Sequence, residues 1–476
     1  MSLGSKVKSI QNIMRQDTGV DGDAQRISQL GWLIFLKIFD DREKELSTMK
    51  QDYVAAIPSG LRWRDWAADP EGITGEELLD FVNNKLFPTL KNLEIREGDK
   101  RTLILQSVFS DSFNYMKSGT LLRQVVNELN GVDFKSSKDR HLFNDVYEQI
   151  LKDLQSAGNA GEFYTPRPVT QFIVEMVNPK LGEKVFDPAC GTGGFLTSVI
   201  DHLRKDQVKT AEDEQVLAKS LYGIEKKPLP HLLCSTNLIL HGIDDTSNIV
   251  RGNSLTRPLR DYTEEDRMNV VVTNPPFGGV EEDGVELNFP KKFQTKETAD
   301  LFLVLIIHLL KNGGRAGLVL PDGTLFGEGV KTAIKEKLLT ECNLHTIIRL
   351  PEGVFSPYTG IRTNLLFFEK GTPTKEVWFY EHQYPEGYKS YSKTKPMSLK
   401  EFDAERSWWN DRVEGQNSWK VSIDDLRARN YNLDIKNPNR QVEEEDKPLD
   451  ELLNEFETNL SEIQHLFGEL RKELEQ

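Results

Sequence analysis

Cysteine is scarce in this 476-residue chain: Cys190, Cys234 and Cys342 lie far apart and without paired spacing. That argues against both a disulfide framework and a cysteine-based zinc site. Long apolar runs are missing as well. The strongest, residues 301–310, contains His308 and falls far short of the roughly 20 residues that a membrane-spanning helix needs. The first fifteen residues mix polar and charged side chains and lack the apolar stretch of a secretory signal. No membrane segment is therefore expected, and the expected location is cytoplasmic. Basic charge is in deficit: 60 Lys and Arg face 75 Asp and Glu, for a net charge of -15. A protein that gripped nucleic acid by phosphate neutralisation alone would carry the opposite sign. A Gly-x-x-x-x-Gly-Lys-Ser/Thr phosphate loop is absent, and no zinc finger, basic helix or helix-turn-helix stands out.

A chain of this length exceeds the size at which one hydrophobic core keeps growing, so several units are expected. Residues 1–155 read as an all-helical N-terminal domain. Trp32, Ile34, Phe35, Ile38 and Phe39 make one apolar face, and Leu121, Leu122, Val125, Val126 and Leu129 repeat spacings of three and four. Phe143, Val146, Tyr147, Ile150 and Leu151 do the same. Over residues 156–400 the pattern changes to short β-rich runs between helical stretches, the mark of a parallel α/β sheet. Seven strands are predicted, at 184–188, 221–225, 248–252, 269–273, 314–320, 344–350 and 363–369. Residues 401–447, with scattered aromatics such as Trp408 and Trp409, read as an irregular connecting region. In 448–476, Leu453, Phe456, Leu460, Ile463, Phe467, Leu470 and Leu474 form a coiled-coil seam. Residues 441–476 hold 12 acidic and 3 basic residues, so this tail alone contributes -9. Such a helix can pack back on its own domain or pair with a partner helix; the narrow seam favours the partner.

Ligands on a parallel α/β sheet bind beyond the carboxyl ends of its strands. The first strand runs into Asp187-Pro188-Ala189-Cys190-Gly191-Thr192-Gly193-Gly194, where the glycines allow a tight turn and close backbone approach to a nucleotide-like ligand. Cys190 within it reads as a small packing residue. The second strand ends in Glu225, placed to accept two ribose hydroxyls. After the fourth strand comes Asn274-Pro275-Pro276-Phe277. An exocyclic amine on an aromatic ring is a poor nucleophile because its lone pair is delocalised. Two carbonyl acceptors, the Asn274 side-chain oxygen and the Pro275 backbone oxygen, would draw its nitrogen toward tetrahedral geometry, with the prolines fixing their aim. Phe277 offers a face for a base extruded from a duplex.

These residues resemble the amino-methyltransferases that modify DNA, whose signature is Asn/Asp-Pro-Pro-Tyr/Phe/Trp. Glu162-Phe163-Tyr164-Thr165-Pro166-Arg167 looks like that family's cofactor-flanking motif. Together with Gly317-Leu318-Val319-Leu320-Pro321-Asp322-Gly323 and Leu350-Pro351-Glu352-Gly353-Val354-Phe355, it makes the whole chain similar to the modification subunit of type I restriction-modification enzymes. The resemblance implies a Rossmann-like S-adenosylmethionine-dependent methyltransferase sheet whose seventh strand is antiparallel. It also implies that Glu162 to Arg167, Gly191 to Gly194, Asp187 and Glu225 contact S-adenosylmethionine, Asp187 near the methionine amino group. Asn253 stands where the family often carries Asp for the cofactor's adenine. Adenine as target is the family's implication, since the tetrad alone does not separate it from cytosine. The partners implied are DNA, a separate specificity subunit, a second copy of the modification subunit and a restriction subunit. Other readings are a stand-alone enzyme reading its own site, a methyltransferase of protein glutamine amides, and a scaffold without catalysis.

Overall fold

The computed structural model describes residues 3–49, 51–96, 99–132, 165–356, 359–392, 395–439, 453 and 456–461. Helices of ten or more residues are numbered in chain order. In the N-terminal part these are α1 (Leu3–Met14), α2 (Asp23–Met49), α3 (Lys100–Ser110) and α4 (Gly119–Asn130). Asp99 and Ser118 start α3 and α4 by accepting the Thr102 and Leu121 backbone N–H groups, which would otherwise lack partners. Trp32, Phe35 and Phe39 of α2 meet Leu122, Val125 and Val126 of α4 in one apolar core. The helical stretch expected at Phe143–Leu151 lies outside the described residues.

The sheet has nine strands in the order β3-β2-β1-β4-β5-β7-β6-β8-β9. They are β1 (Val185–Asp187), β2 (Leu221–Glu225), β3 (Ile249–Arg251), β4 (Met268–Thr273), β5 (Leu310–Pro321), β6 (Cys342–Arg349), β7 (Thr363–Lys370), β8 (Glu376–Glu381) and β9 (Ser418–Ser422). The seven expected strands coincide with β1–β7, and β7 runs antiparallel between β5 and β6. Helices α5 (Arg167–Val177), α6 (Gly194–Asp206), α7 (Ala211–Ser220), α8 (Pro228–Leu240), α9 (Thr298–Leu309) and α10 (Val330–Glu341) complete the α/β unit. Side chains alternate between faces: Val185, Val270 and Val272 pack with α5 and α6, whereas Phe186 and Val271 pack with α9 and α10. A sheet covered on both faces needs apolar residues at nearly every position, which is why these strands read as continuous apolar runs.

The region expected to be an irregular connector is corrected by β9, which adds an antiparallel edge beyond β8. Alternation is present there but carried by large aromatics between polar residues. Phe379 stacks on Trp419 at 5.3 Å on one face, while Trp378 and Tyr380 meet Trp408 on the other. Lys420 and Ser422 on β9 dilute the apolar signal at the sheet's edge.

The helical N-terminal part joins the α/β unit through α8. Leu232, Leu233, Ile239 and Leu240 belong to the N-terminal core. A Cβ on Gly31 would stand 3.1 Å from Leu232, so glycine there permits α2 and α8 to approach. Arg42 grips both oxygens of Asp244 at 2.6 and 2.9 Å, and Arg251 pairs with Asp111 at 2.6 Å. Of the expected tail seam, Leu453, Phe456 and Leu460 are described, and all three are exposed. No helix among the described residues is long and apolar enough to cross a membrane.

Candidate active site

The chain leaves β1 for β2 and β3 on one side, then returns to β4 on the other. This reversal opens a crevice between the tips of β1 and β4. Because Val185 and Phe186 pair with Val270 and Val271, the glycine turn after Asp187 and the tetrad after Thr273 emerge side by side.

The glycine turn is held by backbone bonds. Gly193, at φ +82°, donates to the Cys190 carbonyl at 2.7 Å, and Gly191 sits at φ +51°. A Cβ on Gly193 would strike the Cys234 sulfur at 2.9 Å, whereas one on Gly191 would meet nothing within 4 Å among the described residues. The first glycine therefore faces open space and the second faces packed protein. Glu225 ties the turn to β2: its carboxylate accepts the Gly191 N–H at 2.9 Å and the Lys227 N–H at 2.8 Å. A carboxylate has about four acceptor positions, so two N–H bonds orient it across the rim of the crevice. Two residues that sequence reasoning missed brace the same turn. Asn237 of α8 donates to the Thr192 carbonyl at 3.1 Å, and the Ser254 hydroxyl donates to the Pro188 carbonyl at 2.6 Å. Cys190 is buried with its thiol pKa raised, first by the neighbouring Cys234 thiol and then by burial, in keeping with a packing role.

Asp187 lies under the turn, 1% exposed, and accepts the Ala189 N–H at 3.1 Å. Burial pushes its carboxyl up to about 7. Arg167 donates to the Gly194 carbonyl at 3.1 Å and to the Thr197 hydroxyl, so it braces the first turn of α6. Glu162, Phe163 and Tyr164 lie outside the described residues.

In the tetrad, Asn274 is 9% exposed. Its Nδ2 donates to the Thr165 hydroxyl at 2.8 Å, joining the flanking motif to the tetrad across 109 residues. Its Oδ1 is buried and has no hydrogen-bond partner among the described residues. A buried amide oxygen without a donor is costly, and a donor brought by a ligand would relieve that cost. Pro275 is buried and Pro276 half-buried. The Phe277 ring is 6% exposed and meets Phe355 edge to face at 6.0 Å, so it is enclosed against a second ring from the loop after β6. Asn253 is engaged at both ends: its Oδ1 accepts the Leu255 N–H at 2.9 Å and its Nδ2 donates to Glu281 at 2.9 Å. No group of three or more metal-ligating side chains occurs among the described residues.

The glycine turn, the Glu225 carboxylate and the Asn274 amide thus meet at one crevice, and the family to which the chain belongs makes it a DNA methyltransferase. The chain belongs to the N-6 DNA methylase family, whose model matches residues 138–447; a model described as the HsdM N-terminal domain matches residues 3–129. It is 60% identical, over 100% of its own length and 97% of the relative's, to the type I restriction enzyme EcoEI methylase subunit of Escherichia coli. A solved modification subunit assigned to a type I restriction enzyme of Vibrio vulnificus YJ016 superimposes with a TM-score of 0.84 at 47% identity, covering 92% of this chain and 96% of that one. A chain from a structure of the type I R-M system in assembly and conformational transition gives a TM-score of 0.81 at 37% identity, with 99% and 98% covered.

Proposed function

We propose that Asn274 Oδ1, with the Pro275 carbonyl, accepts the two hydrogens of the adenine amine in this N6-adenine DNA methyltransferase, the modification subunit of a type I restriction-modification enzyme. The observation that carries the assignment is the buried Oδ1, without a partner among the described residues, of an amide whose Nδ2 is held by Thr165. Thr165 takes the Nδ2 donor, so the oxygen end of the amide is the end left for substrate. Withdrawing the amine hydrogens from the ring plane localises the nitrogen lone pair, and burial of the acceptor strengthens each bond that does so. Phe277 and Phe355 form the apolar wall against which the extruded base rests.

Residues Gly191 to Gly194, Glu225, Asp187 and Asn253 are assigned to S-adenosylmethionine, with Thr165, Pro166 and Arg167 beside them and Glu162 to Tyr164 completing the flanking motif. The glycine cradle fits this group because a Cβ on Gly191 would project into the open space it faces. When bound, the cofactor supplies a methyl group on a sulfonium, which leaves as a neutral thioether. Asp187, charged above its raised pKa, is the counter-ion for the methionine ammonium. Arg167 keeps the turn in shape through the Gly194 carbonyl.

The acidic balance of the chain leaves the reading of DNA sequence to a specificity subunit. Two copies of this subunit hold the duplex, the exposed Leu453, Phe456 and Leu460 of the tail meet a partner helix, and a restriction subunit completes the cytoplasmic complex. The test is transfer of labelled methyl to DNA by the chain with and without its specificity subunit. Incorporation that requires the partner and disappears in Asn274→Ala supports the reading; transfer that survives the substitution removes Asn274 from its role.

A further inference from the structure

Glu281, in the loop that follows the tetrad, has no part in the chemistry above, yet it is held from three sides at the tips of β2 and β3. Its side chain is 9% exposed. One oxygen accepts Asn253 Nδ2 at 2.9 Å and lies 3.4 Å from Lys226 Nζ, while the other accepts the Thr298 hydroxyl at 3.4 Å. The loop that presents it is itself tied down, by the Glu281 N–H on the Lys296 carbonyl at 3.0 Å and the Thr298 N–H on the Gly279 carbonyl at 3.1 Å.

With Glu225 assigned to the ribose, the strand tips beside it are where the attached base would lie. Glu225, assigned to the ribose, pairs across the parallel strands with Arg251, and Asn253 follows two residues later. Lys226 is the next residue after Glu225. Between Arg251 and Asn253, Gly252 has a Cβ direction with nothing within 4 Å among the described residues. A base attached to a ribose on Glu225 therefore comes to lie against Asn253 and Glu281.

Polarity decides what that pair can read. Asn253 Oδ1 is committed to the Leu255 N–H, so its outward atom is the Nδ2 donor. A donor suits the N1 acceptor of adenine but cannot take the hydrogens of the N6 amine, which an aspartate here would accept directly. Glu281 places a carboxylate oxygen 2.9 Å from that donor. Donor beside acceptor matches the Watson–Crick edge of adenine, which presents N1 as acceptor and N6 as donor.

We infer that Glu281 is a specificity-determining residue for the cofactor: together with Asn253 it reads the adenine edge of S-adenosylmethionine, with Asn253 donating to N1 and Glu281 accepting from N6. This rests on the assignment of Glu225 to the ribose. A hypoxanthine base reverses both groups, presenting an N1–H donor to Asn253 and a carbonyl oxygen to Glu281, and is rejected at both points.

The test is calorimetric binding of S-adenosylhomocysteine and S-inosylhomocysteine to the full chain, with no turnover required. The wild type prefers the adenosyl compound, and Glu281→Leu, similar in size and without acceptors, lowers that preference by roughly 10- to 100-fold, as for loss of a hydrogen bond to a charged group. Glu281→Gln retains one acceptor oxygen and keeps most of the preference. An unchanged ratio in Glu281→Leu, or equal weakening of both compounds, overturns the inference and leaves Glu281 as a latch for its loop. Failure of the wild type to bind either compound overturns instead the cofactor assignment on which it rests.

Discussion

The two sides of the crevice differ in how they treat polar atoms. On the side of β1, β2 and β3, the groups assigned to the cofactor are bonded to the protein: Glu225 takes two backbone N–H groups, Asn253 is used at both ends and the Thr192 carbonyl has Asn237. On the side of β4, Asn274 is bonded at its nitrogen, and its buried oxygen has no donor among the described residues. A binding surface benefits from groups held in place before the ligand arrives, because ordering is then not charged against affinity. A reacting surface benefits from an acceptor that is desolvated and strongest when the substrate's charge shifts. The same crevice therefore separates holding from activating.

Substitution on the activating side should have the largest effect. Asn274→Ala lowers methyl transfer by at least roughly 100-fold, the scale of losing one preorganised polar group at a reacting centre, while S-adenosylhomocysteine binding by calorimetry is unchanged. Loss of binding along with rate would erase the distinction between the two sides. On the holding side, Glu225→Ala weakens that binding about 10- to 100-fold, and transfer measured at saturating cofactor recovers most of the wild-type rate. A saturated rate that collapses would move Glu225 across the divide.

Asp187 offers a sharper comparison through pH. Its ordinary carboxyl value of 3.8 rises to about 7 in the folded chain because of burial. The native state thus holds this proton more tightly than the unfolded chain. The contribution of Asp187 to stability is present at low pH and is lost as pH rises from about 4 towards 7. Its slope approaches about 1.4 kcal/mol per pH unit, tenfold in the folding equilibrium. Denaturant melts of the wild type and Asp187→Asn between pH 5 and 7 should show this decline in the wild type and its loss in the variant; parallel curves would mean that Asp187 is charged throughout. The smallest effect expected is that of Thr165→Val, which removes the partner of Asn274 Nδ2. A net hydrogen bond of about 1 kcal/mol corresponds to less than about tenfold in saturated rate. Cofactor affinity measured alongside tells whether Thr165 serves the activating side alone.

Much of this molecule is legible in order along the chain. The apolar runs of β1 to β7 announce a sheet buried on both faces, and Gly191, Glu225 and Asn274 stand out as candidates because they lie at or just past the ends of such runs, where ligands meet α/β sheets. β9 escaped because an edge strand buries less and admits Lys420 and Ser422, and β8 beside it because its short apolar run is bounded by Glu376 and Glu381. Phe277 was legible as an aromatic, but its enclosure against Phe355 depends on a loop 78 residues away in sequence.

What sequence by itself determined is strands β1 to β7, the glycine turn and the Asn-Pro-Pro-Phe tetrad, since backbone freedom, periodicity and side-chain chemistry are local properties. What tertiary structure decided is which end of each amide faces the crevice. Thr165 takes the nitrogen of Asn274 and so leaves its oxygen as the end assigned to substrate, and the Leu255 N–H turns the nitrogen of Asn253 toward Glu281. An amide carries a donor and an acceptor on one planar group, so its role is set by whichever partner the fold brings to the other end.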